Sequence, residues 1–305
     1  MTKVFVDGSA GTTGLRIVDR LKTRDDITLI RLGEEVRKDS TARKAAMAEA
    51  DIVFLCLPDQ AAVEAMDLVG EDTVVIDTST AHRTAPQWVY GFAELEGQRE
   101  LIRSSRRIAN PGCHASGFIA LVAPLVRHGL IRPETALTCF SLTGYSGGGK
   151  KMIAEYESEE RPAEFDAPRQ YGLTQNHKHL KEMQKVTGLL TAPVFCPIVA
   201  DYYSGMSVTV PLFAKDINGT KEDIIDLYSR IYHSPLVHYE PFEKAMAAGN
   251  LYSGRDDMGI SVAGNDERVL LLANFDNLGK GASGAAIQNM NIIIGCQETQ
   301  GLTVS

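Results

Sequence analysis

The chain of 305 residues is short of the features that mark several large classes of protein. It has no surplus of positive charge. Lys and Arg number 31 against 39 Asp and Glu, a net −8, which argues against a nucleic-acid partner held through its phosphates. It has no apolar run of transmembrane length, and residues 1–7 open as a β run rather than a signal peptide, so no membrane partner is expected. Its cysteines (Cys56, Cys113, Cys139, Cys196 and Cys296) are odd in number, widely spaced and without a C-x-x-C pair. That pattern predicts neither a disulfide framework nor a zinc site, and no metal is expected. It fits a reducing cytoplasm and at most one chemically active thiol. Internal repeats and low-complexity segments are missing too. What remains is an ordinary globular composition, 44% apolar and 23% charged, long enough for two domains or one large one.

What is present is organised around Ala109-Asn110-Pro111-Gly112-Cys113-His114-Ala115-Ser116-Gly117. Asn110 can cap or turn, Pro111 fixes φ, and Gly112 admits a backbone conformation closed to other residues. Residues 118–126 form an apolar, helix-like run, so Cys113 is predicted near a helix N-terminus. Unpaired N–H groups and the positive end of the helix dipole favour a thiolate there and can stabilise an oxyanion. The competing reading is a small buried cysteine after a loop.

The chain leading to this stretch alternates strand and helix. Residues 3–7 read as a strand, followed by Gly8-Ser9-Ala10-Gly11-Thr12-Thr13-Gly14 and a helix with Leu15, Val18 and Leu21 on one side. The glycines would permit a tight turn and the close approach of a pyrophosphate to the helix N-terminus. Residues 27–32 read as the second strand. An acid often follows such a strand to hold the ribose of NAD; here the region offers Arg31, Arg37, Lys38 and Ser40, which suit the 2′-phosphate of NADP. Glu34 and Glu35 leave a solvated charged loop as the alternative. Residues 51–58 and 73–77 are apolar strands with a helix between them, and the alternation predicts a parallel sheet. Just past the second of these strands, where such sheets bind ligands, Arg83 suits a phosphate or carboxylate, or a surface ion pair.

After the cysteine helix the pattern changes. Residues 137–143 read as a half-exposed strand, and 144–151 as a loop with little side-chain bulk that lies against a ligand or merely links. Residues 176–183 are read as helical, with His179 and Glu182 on one face, so that the carboxylate orients or charges the imidazole. His177 falls off that face, and a His-x-His pair also suits a surface or a cap. A metal site there would need a third ligand, and none is visible. Strands at 191–199, 206–213, 262–263 and 269–275, with helices at 224–232 and 242–246, predict an antiparallel α+β domain. Residues 285–295 form a last helix.

Gly8-x-x-Gly11-x-x-Gly14, Asn110-Pro111-Gly112-Cys113, Ser146-Gly147-Gly148-Gly149 and His177-x-His179-x-x-Glu182 recur in one known family. So does the closing run Asp276-Asn277-Leu278-x-Lys280-Gly281-Ala282-x-Gly284-x-Ala286-x-Gln288-Asn289. Across almost its whole length the chain resembles the shorter N-acetyl-γ-glutamyl-phosphate reductases, relatives of the aspartate-semialdehyde dehydrogenases. The resemblance implies a Rossmann-type parallel-sheet domain binding NADP(H), residues 1–112 and 278–305. It implies an α+β catalytic and dimerisation domain with an antiparallel sheet, residues 113–277. The implied reaction is the NADPH-dependent reductive dephosphorylation of N-acetyl-L-glutamyl 5-phosphate to the semialdehyde, in arginine biosynthesis.

In that scheme Cys113 is the nucleophile and carries a thioester. His179 is the acid/base partner oriented by Glu182, with His177 the second candidate. Gly8, Gly11, Thr12, Thr13 and Gly14 hold the pyrophosphate, and Ser146, Gly147, Gly148 and Asn277 lie near the nicotinamide. Arg83 and Asn110 hold the acyl phosphate. The implied partners are that acyl phosphate, inorganic phosphate and further copies of the chain, as a homodimer or homotetramer. Two departures bear on acyl recognition. Longer relatives carry Tyr-Pro-Thr after the cysteine, where this chain has His114-Ala115-Ser116, and residues 197–206 lack the arginine of a Pro-x-x-Arg-Gly run. Aspartyl phosphate or a carrier-linked aminoadipyl phosphate is the alternative substrate. A redox sensor that binds NADPH and uses Cys113 as a switch is the non-enzymatic alternative.

Overall fold

Apolar runs that alternate with helices build the first of two units, Met1–Pro111 with Ala282–Leu302. The computed structural model describes residues 1–304. The unit contains strands β1 (Thr2–Asp7), β2 (Ile27–Ile30), β3 (Ile52–Leu55), β4 (Val74–Asp77), β5 (Val89–Tyr90) and β6 (Arg107–Ala109). Their order is β2-β1-β3-β4-β6-β5, and every pairing is parallel, as the alternation predicts. Helices α1 (Thr12–Leu21), α2 (Ser40–Glu49), α3 (Asp59–Ala65) and α4 (Gln98–Ser104) connect the strands, and the last helix of the chain, Gly284–Ile294, returns to this unit.

The strands are apolar on both faces because both are covered. Val4, Val6, Ile52 and Phe54 meet Ile17, Val18, Ile287 and Met290 on one side. Phe5, Val53 and Leu55 meet Ala46, Met47 and Ala65 on the other. Each of the Val, Leu, Ile, Phe and Met side chains among these, fully buried, contributes about 1.5–3 kcal/mol. The strand order reverses beside β1, with β2 on one flank and β3 on the other. A ligand crevice therefore opens at the carboxyl ends of β1 and β3.

The second unit is Gly112–Gly281, joined by the chain end from Thr303. Its helices are α5 (Cys113–Arg127), α6 (Gly149–Tyr156), α7 (Leu180–Thr187) and α8 (Lys221–Ile231), so the returning helix is α9. Strands β7 (Thr138–Gly144), β8 (Arg169–Gln170), β9 (Val194–Ala200), β10 (Met206–Phe213), β11 (Val237–Tyr239), β12 (Met258–Gly264) and β13 (Arg268–Phe275) form one sheet, ordered β11-β12-β13-β10-β7-β9-β8. It is mixed rather than antiparallel throughout: β7 pairs with β9, and β11 with β12, in parallel. Parallel neighbours need a long crossover, and residues 145–193, which include α6, β8 and α7, supply the one between β7 and β9.

The sequence pattern misjudges two segments here. Residues 144–151 are not a plain loop: a 3₁₀ turn, Tyr145–Gly148, runs into α6. Tertiary hydrogen bonds hold it, from Tyr145 N to Tyr202 O (2.9 Å) and from Ser146 N to Tyr203 O (3.0 Å). Residues 242–246 are irregular, not helical. A stretch of one turn cannot offset the entropy of helix nucleation by itself.

One face of this sheet packs on α5. Gly117 lies so close to Val208 and Phe275 that a Cβ there would fall 2.6 Å from Val208 Cγ2. Tyr228 on α8 and Tyr232 just past its end donate to the Leu121 and Ala120 carbonyls of α5. The outward face carries Phe140, Val194, Phe213 and Leu270, all exposed. Among the described residues no helix is long and apolar enough to cross a membrane.

Candidate active site

Chemistry-bearing residues gather at three places, two in the first unit and one in the second. At the end of β1, Gly8 has φ +84°, and a Cβ there would stand 2.2 Å from the Cys56 carbonyl oxygen just past β3. A Cβ on Gly14 would meet the Gly8 carbonyl oxygen at 2.4 Å. Side chains are therefore excluded from the turn on both sides. Gly11 caps α1 with no side-chain hydrogen bond to the helix, and Thr12, Thr13 and Gly14 form its first turn. A bare backbone cradle at a helix N-terminus is what a pyrophosphate requires, so these residues fit a dinucleotide. Arg31 follows β2 directly and is exposed; Arg37 is also exposed and lies 3.8 Å from Glu34. Sequence reasoning missed the buried Asp7, which receives two hydrogen bonds from Arg43 of α2 (2.6 and 3.1 Å).

Past β4, the turn 77–83 is tied to itself. Asp77 accepts from Ser79 Oγ (2.6 Å) and lies 2.7 Å from His82 Nδ1, and the His82 ring stacks on Trp88. Arg83 donates to the Thr78 carbonyl (3.0 Å) and the Asn110 carbonyl (2.9 Å), so Arg83 and Asn110 are neighbours. The Asn110 side chain serves the fold itself. Its Nδ2 donates to Ala282 O and its Oδ1 accepts from Asn289 Nδ2. Asn110 also offers Arg83 its backbone oxygen.

The third place is the start of α5. Cys113 is its first residue and is half-buried; Gly112 caps the helix with no side-chain hydrogen bond. Gly112 has φ −79° and ψ 145°, open to any residue, so its expected special conformation is not the reason for a glycine. Its N–H donates to Glu182 Oε2 (3.2 Å), and Glu182 Oε1 lies 3.9 Å from His179 Nε2. Glu182, buried on α7, thus stands between the cysteine turn and His179.

Helix α7 begins at Leu180, later than the pattern 176–183 predicts, and this alters the histidine geometry. His179 is the N-cap, and His177 lies before the helix. Both rings converge, their centroids 4.7 Å apart, although strict helical spacing would have separated them. His177 Nδ1 accepts from the His179 backbone N–H at 3.2 Å. Both pack on His114, which sequence reasoning passed over together with its partners Ser141 and Tyr171. The departure at His114 from the Tyr-Pro-Thr of longer relatives was the one available signal.

Within the same unit Ser146 is buried and accepts from Asn277 Nδ2 (3.0 Å), while Asn277 Oδ1 accepts from Gly205 N (2.9 Å). Asn277 therefore braces the turn that contains Ser146, Gly147 and Gly148. The closing motif reaches Cys113 as well: a Cβ on Gly281 would lie 3.0 Å from Cys113 Cβ.

This combination of a nucleotide cradle and a cysteine–histidine–glutamate site defines a class. Residues 3–104 match the family model described as semialdehyde dehydrogenase, NAD binding domain, and residues 113–277 match semialdehyde dehydrogenase, dimerisation domain. The fold agrees with aspartate semialdehyde dehydrogenase II of Vibrio cholerae, solved in complex with ASA, at TM-score 0.73 and 15% identity over 97% of this chain and 98% of that one. It also agrees with aspartate semialdehyde dehydrogenase with NADP of Candida albicans, at TM-score 0.64 and 15% identity over 96% and 98%. N-acetyl-gamma-glutamyl-phosphate reductase 2 of Nostoc sp. is 42% identical over 98% of the chain and 99% of its own length. The reductase of Sinorhizobium medicae is 43% identical over 96% and 98%. Within the semialdehyde dehydrogenase class, the chain belongs to the N-acetyl-γ-glutamyl-phosphate reductases.

Proposed function

We propose that the chain reduces N-acetyl-L-glutamyl 5-phosphate to N-acetyl-L-glutamate 5-semialdehyde and inorganic phosphate, reversibly, as a step of arginine biosynthesis. The observation that carries this is the start of α5, where Cys113 follows a glycine cap that makes no side-chain hydrogen bond and Glu182 joins the Gly112 N–H to His179. The Cys113 thiolate attacks the acyl carbon. The bond from that carbon to the phosphate oxygen breaks, phosphate leaves with the electron pair, and a thioester remains. Gly8, Gly11, Thr12, Thr13 and Gly14 would hold the pyrophosphate of NADP(H), and Arg31 and Arg37 its 2′-phosphate. The bound nicotinamide supplies the hydride that reduces the thioester carbon. His179, oriented by Glu182, gives its proton to the resulting oxyanion and takes it back as the C–S bond breaks, which frees the aldehyde and restores the thiolate. Arg83, aimed by two carbonyls, binds the phosphate.

The test runs the reaction backwards. With N-acetylglutamate semialdehyde and phosphate, NADP is reduced, and with NAD in its place kcat/KM falls. Arg83→Ala raises the KM for phosphate about 10- to 100-fold, the loss expected for charge-assisted hydrogen bonds. Turnover confined to aspartate semialdehyde would move the chain to the sister branch. NADPH binding with no turnover on any semialdehyde would leave the redox-sensor reading.

The protein is further proposed to work as a homodimer in the cytoplasm. Cysteines that are all thiols fit a reducing compartment. The outward sheet face, where Val194 is 55% and Phe213 57% exposed, fits a second copy, and the family model covering it is described as a dimerisation domain. Phe213→Asp is expected to shift sedimentation from dimer to monomer; a wild-type chain that sediments as a monomer at micromolar concentration overturns this.

A further inference from the structure

Ser141, His114 and Tyr171 form a hydrogen-bonded row in the cysteine unit that the reaction as written leaves unused. Ser141 on β7 is fully buried, and its Oγ lies 2.6 Å from His114 Nδ1. His114 Nε2 lies 2.7 Å from Tyr171 Oη. The buried His114 ring is packed by Phe195 (5.3 Å between centroids), His179 (5.6 Å) and His177 (5.8 Å). Tyr171 is held by the backbone as well, since its N–H donates to the Pro197 carbonyl and extends the β8–β9 pairing.

The direction of the protons in this row follows from counting donors. Burial first, and then the neighbouring His177, push the pKa of His114 down to about 3, so the ring is neutral and carries one proton. If that proton sat on Nδ1, it would go to Ser141 Oγ, and Tyr171 would donate to Nε2. The Ser141 hydroxyl would then be a buried donor with nothing to bond, because His114 is the only hydrogen-bond partner of its Oγ among the described residues. A buried donor left unmade is the arrangement folded proteins avoid. With the proton on Nε2, Ser141 donates to Nδ1 and Nε2–H donates to Tyr171 Oη. Every buried donor is then satisfied, and the one hydroxyl proton left over belongs to Tyr171.

That phenol keeps its proton. Burial pushes its pKa up, and the charge of Cys113 pushes it further; its Oη lies one hydrogen bond from the side chain of His114, the residue after Cys113 in the first turn of α5. A neutral phenol cannot act as a base, but it can donate.

We propose that Tyr171 is a further catalytic residue, a neutral hydrogen-bond donor to the oxygen of the acyl group carried by Cys113, and that His114, backed by Ser141, is the positioning residue that fixes its proton. This rests on the reading of Cys113 as the acyl acceptor.

Tyr171→Phe keeps the ring and removes only the hydroxyl. It is expected to lower kcat about 10- to 100-fold while the KM for the semialdehyde stays within about twofold, the signature of a contact made in the transition state. Alkylation of Cys113 by iodoacetamide should proceed at the wild-type rate, since the thiol is untouched. His114→Phe should lower kcat as well, yet add little on top of Tyr171→Phe, because both act through one hydroxyl. Nitrogen NMR of the histidine-labelled chain should show His114 neutral and protonated on Nε2. A Tyr171→Phe chain with wild-type kcat overturns the proposal, as does an Nδ1-protonated His114 or fully additive losses in the double variant. If the wild-type chain itself turns over no semialdehyde, the underlying reading fails, and wild-type activity tells that failure apart from the loss of Tyr171 alone.

Discussion

Cys113→Ser is expected to lower turnover of N-acetylglutamate semialdehyde by at least about 10³-fold while NADPH binding and folding persist. The substitution replaces sulfur with oxygen at the first residue of α5, a half-buried position where serine is well tolerated at a helix start. A serine hydroxyl is almost wholly protonated near neutral pH, and its ester accepts hydride less readily than a thioester. Two of the other thiols are buried too deeply to ionise readily. Burial pushes the Cys56 thiol up to about 12, and Cys139 higher still. Intact mass after incubation with substrate should show one acyl adduct in the wild-type chain, mapped to Cys113, and none in the variant. Full activity in Cys113→Ser, or an adduct on any other cysteine, would sink the assignment.

The parts of this site that could be read in the sequence are those governed by local rules. The Gly8 turn lies between a strand and a helix whose apolar periods are plain, so its place at the end of β1 follows from the pattern alone. Cys113 at the head of α5 is legible for the same reason: an apolar helical run begins just after Pro111. Residues 52–55, and 74–76 ahead of Asp77, are apolar without alternation because both faces are covered, and that composition marks a parallel sheet.

What escaped notice depends on contacts between distant residues. Ser141 meets His114 across 27 positions, and Tyr171 meets it across 57; no period links them. The mixed character of the second sheet is of this kind too: β7 and β9 pair in parallel, yet both alternate in burial as one-sided antiparallel strands do. The hydrogen-bond partners of Asn110 and Asn277 illustrate another limit. A motif shows that a carboxamide is wanted at a position. Only coordinates show that Asn110 holds Ala282 and Asn289, and that Asn277 holds Ser146 and Gly205.

His179→Asn is expected to reduce kcat about 10²- to 10⁴-fold, the usual contribution of a general acid or base, whereas His177→Asn should cost no more than about 10-fold. The difference comes from what each ring does at the start of α7. Asparagine is a favoured N-cap, so the helix survives the loss of the His179 imidazole while the proton carrier disappears. His177 uses Nδ1 to accept from the His179 backbone N–H, and an asparagine side-chain oxygen can make the same bond. Glu182 separates charge from geometry. In Glu182→Gln the side-chain oxygen can still accept from Gly112 N–H, and only the negative charge beside His179 is lost, so kcat should fall about 10-fold with stability kept. In Glu182→Ala the buried Gly112 N–H also loses its acceptor, which adds about 1–3 kcal/mol of destabilisation and loosens the turn that aims Cys113. Steady-state kinetics in both directions, with thermal unfolding alongside, separate the two. Equal losses in His177→Asn and His179→Asn would transfer the acid/base role away from His179. A Glu182→Ala chain as active as Glu182→Gln would show that the bond to Gly112 N–H does not position the nucleophile.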